Sequence, residues 1–233
     1  MSDRTELHLH EQLMLLALRD EKGTLESKAT MYAYALGGAM LAELSLKGKI
    51  RISDDKRAFV DLVDRSPLDE PVLDECIDKV ATAKRRARAT TWVRRFAELK
   101  RLRHRVAQGL CRRGILRDDE DKVLLFFTRK LYPTIDPVPE RRLVDQLRNV
   151  IFGDSTSPDA ETVVVVALAN ATGLLPIHFD RKDLRRRKRQ LKRITEGNIA
   201  GAAAQQAVLA AQQAAVAAAV AASSAAAVSA SGG

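Results

Sequence analysis

Apolar residues along the chain repeat with two different periods. Leu13, Leu15, Leu16 and Leu18 follow Glu11-Gln12 and precede the polar run Arg19 to Lys22 and Gly23, which predicts a short buried helix closed by glycine. From about Lys28 to Lys47, residues Met31, Leu36, Met40, Leu41 and Leu44 include the 4-3 spacing of a buried helical stripe. Gly48 then stands where a C-cap glycine takes positive φ without strain. Beyond it the period switches to two. Lys49 to Ile52 alternates like a strand, Ser53-Asp54-Asp55 is turn material, and Arg57 to Val63 reads as a returning strand.

The same order recurs downstream. Leu99 to Arg113 predicts a basic helix with Leu99, Leu102, Val106 and Leu110 on one face, ended by Gly114. Ile115-Leu116 starts a strand, Arg117 to Asp121 turns, and Val123 to Phe127 returns. Two such units fit either an internal duplication or two uses of a common motif. Between them lie a linker at Pro67 to Pro71, a short helix at Val72 to Ala83 and a very basic helix at Lys84 to Phe96. Pro133, Pro137 and Pro139 mark a loop, and Glu140 to Phe152 is amphipathic through Leu143, Leu147, Val150 and Ile151. Val163 to Leu168 is apolar all round, which suits a central buried helix or a buried strand. Its β-branched run favours the strand, and the following Ala-Leu-Ala-Asn-Ala-Thr-Gly favours a helix closed at Gly173. Asp180 to Arg193 is a block of charge. From Ala200 onward the chain is alanine-rich, with Gln205-Gln206 and Gln212-Gln213 recurring. Alanine favours helix but gives it little to bury, so this tail reads as disordered or frayed helix, and the glutamines argue against a membrane span.

Charge gives the first pointer to a partner. The 233 residues carry 39 Lys and Arg against 30 Asp and Glu, a net charge of +9. Such a balance favours acidic partners: nucleic acid, anionic lipid or acidic protein. The two cysteines, Cys76 and Cys111, form no CxxC pair and suit a reducing compartment. The start of the sequence is charged and unlike a signal peptide, so the expected location is cytoplasmic. Catalysis finds no footing: no GxSxG, HExxH or P-loop occurs, and neither a cofactor nor a metal is expected. His8 and His10 read as surface residues, His104 as solvated on a basic helix, and His178 as the start of a loop. Gly37-Gly38 reads as a place where helices pack closely. The basic clusters are more specific. Lys84 to Arg113 holds twelve Lys and Arg against a single acid, Glu98. Lys100 and Arg103 are three apart and are expected to share a helical face suited to phosphate. A helix, a glycine and a hairpin also outline a winged helix, so a nucleic-acid binder is the alternative. Leu99 to Arg113 offers only Gln108 for reading bases, however, and the apolar Val123, Leu124, Leu125, Phe126 and Phe127 suit burial, subunit contact or a membrane interface better than a duplex.

Three stretches resemble the Golgi phosphoprotein 3 family: Leu7 to Asp20, Leu36 to Ile50 and Arg103 to Leu116. The apolar run from Thr162 is similar to that family's central helix, and the resemblance covers roughly residues 5 to 180. It implies a mainly α fold, a single domain of helices packed round a central hydrophobic helix with peripheral β-hairpins. The expected domain is 5–195, followed by the alanine-rich tail 196–233. It also implies a non-enzymatic adaptor that binds phosphatidylinositol 4-phosphate on the cytosolic face of membranes and holds the cytosolic tails of membrane proteins there. Of the family's pocket positions, Lys100 and Arg103 match, whereas Lys28 and Gly37 do not, so a broader anionic, phosphoinositide-like lipid is expected. The hairpin Val123 to Phe127 corresponds to the family's membrane-contact and self-association hairpin, which implies a homo-oligomer as a further partner. The Ala- and Arg-rich composition suggests a bacterial member from a GC-rich genome.

Overall fold

The computed structural model describes residues 6–18, 24, 31–123, 127–153, 158–195, 209–210 and 212–213. In chain order its elements are α1 (Leu9–Ala17), α2 (Tyr32–Leu46), β1 (Ile50–Ile52), β2 (Phe59–Leu62), α3 (Pro71–Ala81), β3 (Ala87–Arg88), α4 (Ala89–Ala97) and α5 (Leu102–Arg112). Then follow β4 (Asp119–Val123), β5 (Phe127–Leu131), α6 (Val138–Phe152), α7 (Ala160–Ala171), α8 (Leu175–His178), α9 (Arg181–Arg186) and α10 (Lys188–Thr195). The fold is mainly α, with two small antiparallel sheets.

Two helices apolar on every side organise the core. In α7 the run Thr162 to Ala169 is buried without a break. The valines that argued for a strand are therefore helical. Asp159 fixes the start by accepting from Thr162 N at 2.8 Å, and Gly173, at φ +75°, fixes the end. Helix α2 is buried from Ala35 to Leu44 and packs on α1, α4 and α7. It carries one charge, Glu43. The core is thus built on a pair of hydrophobic helices where the sequence suggested one. Gly37 lies at the crossing of α2 and α4: a Cβ there would stand 2.3 Å from Val93 O. A side chain at that position would collide with the backbone of α4, so glycine is what lets the two helices approach there. Lys28 lies outside the described residues.

The first hairpin forms as expected, with Ile50 opposite Leu62 and Ile52 opposite Val60. The sheet gains a third strand, β3, paired through Phe59 with Arg88. This corrects the helix expected at Lys84 to Phe96, which begins only at Ala89. The second hairpin is also displaced. Its strands are the charged Asp119–Val123 and the segment Phe127–Leu131, joined by the Val123–Phe127 pair at the far end. Val123 to Phe127 is therefore not a strand but the ends of two strands and the residues between them, and Leu124 to Phe126 lie outside the described residues. Leu116, expected to open a strand, makes an isolated bridge with Thr134.

The charged block folds as α9 and α10, with Asp180 capping α9 and Leu184, Leu191 and Ile194 buried. Of the tail, Leu209, Ala210, Gln212 and Gln213 are helical. Ala210 is buried, and Gln212 donates to Thr195 O at 2.7 Å.

Candidate functional site

Folding brings acids to some cations of the basic run from Lys84 to Arg113 and sets others along an open cleft. Acids from distant parts of the chain claim three of them. Arg86 makes a two-pronged ion pair with Asp61, Arg105 pairs with Glu75 and donates to Pro71 O, and Arg113 lies 3.3 Å from Glu11. The charge that is nearly unopposed in sequence is partly opposed in space. Arg95 lies over Trp92, 4.7 Å from the ring centre, an arrangement in which the indole face attracts the guanidinium.

The cleft lies where the start of α2, the turn from α4 into α5, and the end of β5 meet. Its volume is about 590 Å³, and its polar lining is Tyr32, Arg101, Arg103, His104, Lys130 and Tyr132. Among the described residues, no Asp or Glu lines it. Arg101 enters α5 with φ 54° in the left-handed region. Arg103 holds its guanidinium 6.0 Å from the centre of the Tyr132 ring. His104 is half-buried, with Nδ1 hydrogen-bonded to the Tyr132 hydroxyl, which corrects its reading as a solvated residue. Lys130 is held by Asp118 at 3.2 Å and Glu120 at 2.6 Å, carboxylates that raise its pKa.

Tyr32 is the residue that sequence reasoning missed. It is 4% exposed, and its hydroxyl has no hydrogen-bond partner among the described residues. Burial pushes the phenol well above its ordinary pKa, against the opposing pull of the Arg103 charge, so at neutral pH it is a donor. A buried hydroxyl left without a partner costs about 1–3 kcal/mol. The only sequence signal for it was a tyrosine at the head of an otherwise aliphatic helix.

Lys100 and Arg103 do not share a helical face. Helix α5 begins at Leu102, and Lys100 is exposed in the preceding turn, outside the lining of the cleft. The turn exists because Leu99 and Leu102, both buried, are pulled inward with Arg101 strained between them. The winged-helix alternative finds no support here. The hairpin after α5 opens with Asp118-Asp119-Glu120-Asp121, a charge pattern that a phosphate backbone repels.

A second polar cluster joins the start of α1 to α2 and α3. His10 is 1% exposed, and His8 and His10 stack with ring centres 5.4 Å apart. Glu43 faces both: Oε1 meets His8 Nδ1 at 2.5 Å, Oε2 accepts from Leu9 N at 3.0 Å, and Oε2 lies 3.5 Å from His10 Nδ1, which makes no hydrogen bond among the described residues. Burial would raise the Glu43 pKa, but the two histidines lower it to about 2. Burial works to lower the His8 pKa, yet Glu43, with Glu11 and Glu70 behind it, raises it. The expectation of surface histidines is overturned: an apolar helix start leaves these rings nowhere to go but inward. His178 likewise sits in α8, with Nε2 2.8 Å from Leu16 O. Among the described residues, no group of His, Cys, Asp and Glu has the arrangement of a metal site, and no helix is long and apolar enough to cross a membrane.

Comparison with known proteins places this architecture. The chain is 28% identical over 222 residues to vacuolar protein sorting-associated protein 74 of Schizosaccharomyces pombe, covering 82% of this chain and 65% of that protein. It is 27% identical over 221 residues to the protein of the same name from Eremothecium gossypii, covering 82% and 66%. The chain thus spans just under two thirds of the length of these relatives. The sequence model of the Golgi phosphoprotein 3 (GPP34) family matches residues 9–211, from the first residue of α1 into the alanine-rich tail, and the chain belongs to that family.

Proposed function

We propose that this protein is a peripheral membrane adaptor that binds an anionic, phosphoinositide-like lipid headgroup in the cleft beside Arg103. The observation that carries the reading is the pairing of an unpartnered buried donor, Tyr32, with the cations Arg101 and Arg103, in a cleft lined by no carboxylate among the described residues and bordered by Lys130, which Asp118 and Glu120 hold. A phosphate group would complete this set: it accepts from the phenol and takes charge-assisted hydrogen bonds from the guanidinium groups. Lys100, exposed in the same turn as Arg101, adds charge at the surface. The names of the relatives, which concern protein sorting, agree with an adaptor that holds cytosolic tails of membrane proteins at the bilayer. In this reading the protein works on the cytosolic face by binding and without catalysis. The apolar residues Val123 to Phe127, at the end of the β4–β5 hairpin, contact the bilayer or a second copy of the chain. Residues 5–195 form the lipid-binding domain, with the tail 196–233 as an appendage that touches α10 through Gln212.

The test is flotation of the full chain with phosphatidylcholine vesicles carrying phosphatidylinositol 4-phosphate or phosphatidylserine. Arg103→Gln should reduce binding to the phosphoinositide vesicles by about tenfold, the worth of one hydrogen bond to a charged group. Equal binding of Arg103→Gln and the unaltered chain would remove the cleft as the headgroup site.

A further inference from the structure

The cations of α9 and α10 have no part in the cleft beside Arg103. They form two stripes with the same 4-3-4 spacing: Arg181, Arg185, Lys188 and Lys192, and next to it Lys182, Arg186, Arg189 and Arg193. That spacing would put each set on one face of a continuous helix; the chain is broken at Arg187 between α9 and α10, and sequence alone does not choose between the stripes. The structure does. The first stripe borders a cleft of about 660 Å³ between α9–α10 and the end of α7, whereas no member of the second lines it.

The floor of this cleft is apolar, with Gly173 and Pro176 on one side and Leu184 and Leu191 on the other. Among the described residues, no Asp or Glu lines it. The two acids of the block are used elsewhere. Asp180 accepts from Lys182 N at 2.6 Å as a helix cap, and Asp183 pairs at 3.2 Å with Arg186, a member of the other stripe. Arg185 is oriented by its Nε, which donates to Arg181 O at 3.3 Å.

We infer that this second cleft takes one acidic phospholipid of a bilayer. Its phosphate would sit among Arg181, Arg185, Lys188 and Lys192, and its glycerol and upper acyl chain on Leu184, Leu191 and Pro176. Four cations on an amphipathic helical segment are the pattern of acidic-lipid recognition. An apolar floor adds nothing for free phosphate but suits an amphiphile, and the volume lies within the range of about 300–1,000 Å³ typical of small-ligand sites. The inference shares with the Arg103 reading the premise of docking on an anionic bilayer, but not the site. Two headgroup sites on one body would bind a membrane with avidity beyond either alone.

The experiment compares two doubly reversed full-length variants on phosphatidylcholine vesicles containing phosphatidylserine. Arg185→Glu/Lys188→Glu alters the stripe on the cleft, and Lys182→Glu/Arg189→Glu removes the same charge from the neighbouring stripe. The first should lose about tenfold or more in vesicle affinity, at the ordinary worth of two basic residues near an anionic surface, and the second about twofold or less, because its stripe does not line the cleft. If reversal unfolds either chain, the Gln pairs at the same positions make the same comparison. Equal losses would mean diffuse attraction, and no loss in either would mean no site; both results overturn the inference. So would displacement of the vesicles by inorganic phosphate as effectively as by a short-chain phosphatidylserine, or tight binding of duplex DNA that the Arg185/Lys188 variant alone abolishes. Loss through Arg185 and Lys188 with no effect of Arg103→Gln would leave this site standing and remove the other; the reverse pattern would do the opposite.

Discussion

The His8–His10–Glu43 cluster and the Arg103 cleft are both built from buried polar groups next to α2, yet they end in opposite conditions. In the first, the polar groups gather round a carboxylate: Glu43 meets the His8 ring at 2.5 Å and the Leu9 amide at 3.0 Å, and lies 3.5 Å from His10 Nδ1, which makes no hydrogen bond among the described residues. In the second, cations and a phenol gather without a carboxylate among the lining residues, and the Tyr32 hydroxyl remains unmatched. A cluster gathered round its own carboxylate fixes the chain, and one without a carboxylate invites an anion. The contrast separates a structural use of polar residues from a binding use within one core.

The largest effect should come from removing the carboxylate at the centre of the histidine cluster. Glu43→Gln leaves two histidines facing a neutral amide, and breaking a buried charge pair costs about 3–5 kcal/mol. Urea unfolding should show that loss; a cost below about 1 kcal/mol would mean that Glu43 does not hold the chain together there. Arg103→Gln should do the reverse: about tenfold weaker headgroup binding with the unfolding midpoint nearly unchanged. A large drop in stability there would turn the cleft into a second structural knot and erase the contrast.

A smaller, pH-dependent effect sharpens the comparison further. His8 is raised above its ordinary value of 6.5, so its contribution to stability is complete below that pH and lost as pH rises through the folded-state value. Glu43 is depressed from 4.5 to about 2, so its contribution is complete above 4.5 and lost as pH falls toward 2. Stability from this cluster should therefore be greatest between about 4.5 and 6.5. His8→Gln should flatten the loss of stability on the alkaline side, measured by urea unfolding on either side of neutral pH. An unchanged slope would detach His8 from Glu43.

The sequence disclosed these two regions unequally. Periodicity located α2 and the first hairpin, because helix and strand periods are written by neighbours a few residues apart, whereas the unbroken apolar run of α7 left helix and strand both open. Gly48 and Gly173 were legible as helix ends because their positive φ is a local demand. Three dense blocks of similarity made the family legible as well. What escaped were facts set by residues far apart in the chain. The acids that claim Arg86, Arg105 and Arg113 lie 25, 30 and about a hundred positions away, so the basic run looked unopposed. His10 was read as exposed because its partner Glu43 is on another helix. The turn at Arg101 broke the expected face of Lys100 and Arg103, since burial of Leu99 and Leu102 outweighed helix continuity. Tyr32 had no motif at all, and only three-dimensional accounting of its hydroxyl brought it forward.

That hydroxyl also gives the most direct test of the headgroup site. Tyr32→Phe keeps the ring and removes only the unmatched donor, so its effects on folding and on binding should differ in sign. Titration of a short-chain phosphatidylinositol 4-phosphate into both proteins, with a melting curve for each, measures the two together. The Phe variant should melt no lower than the unaltered chain and bind the lipid about five- to tenfold more weakly, the worth of one hydrogen bond. Unchanged affinity, or a variant that melts well below the parent, would contradict the cleft as an open site completed by an anion.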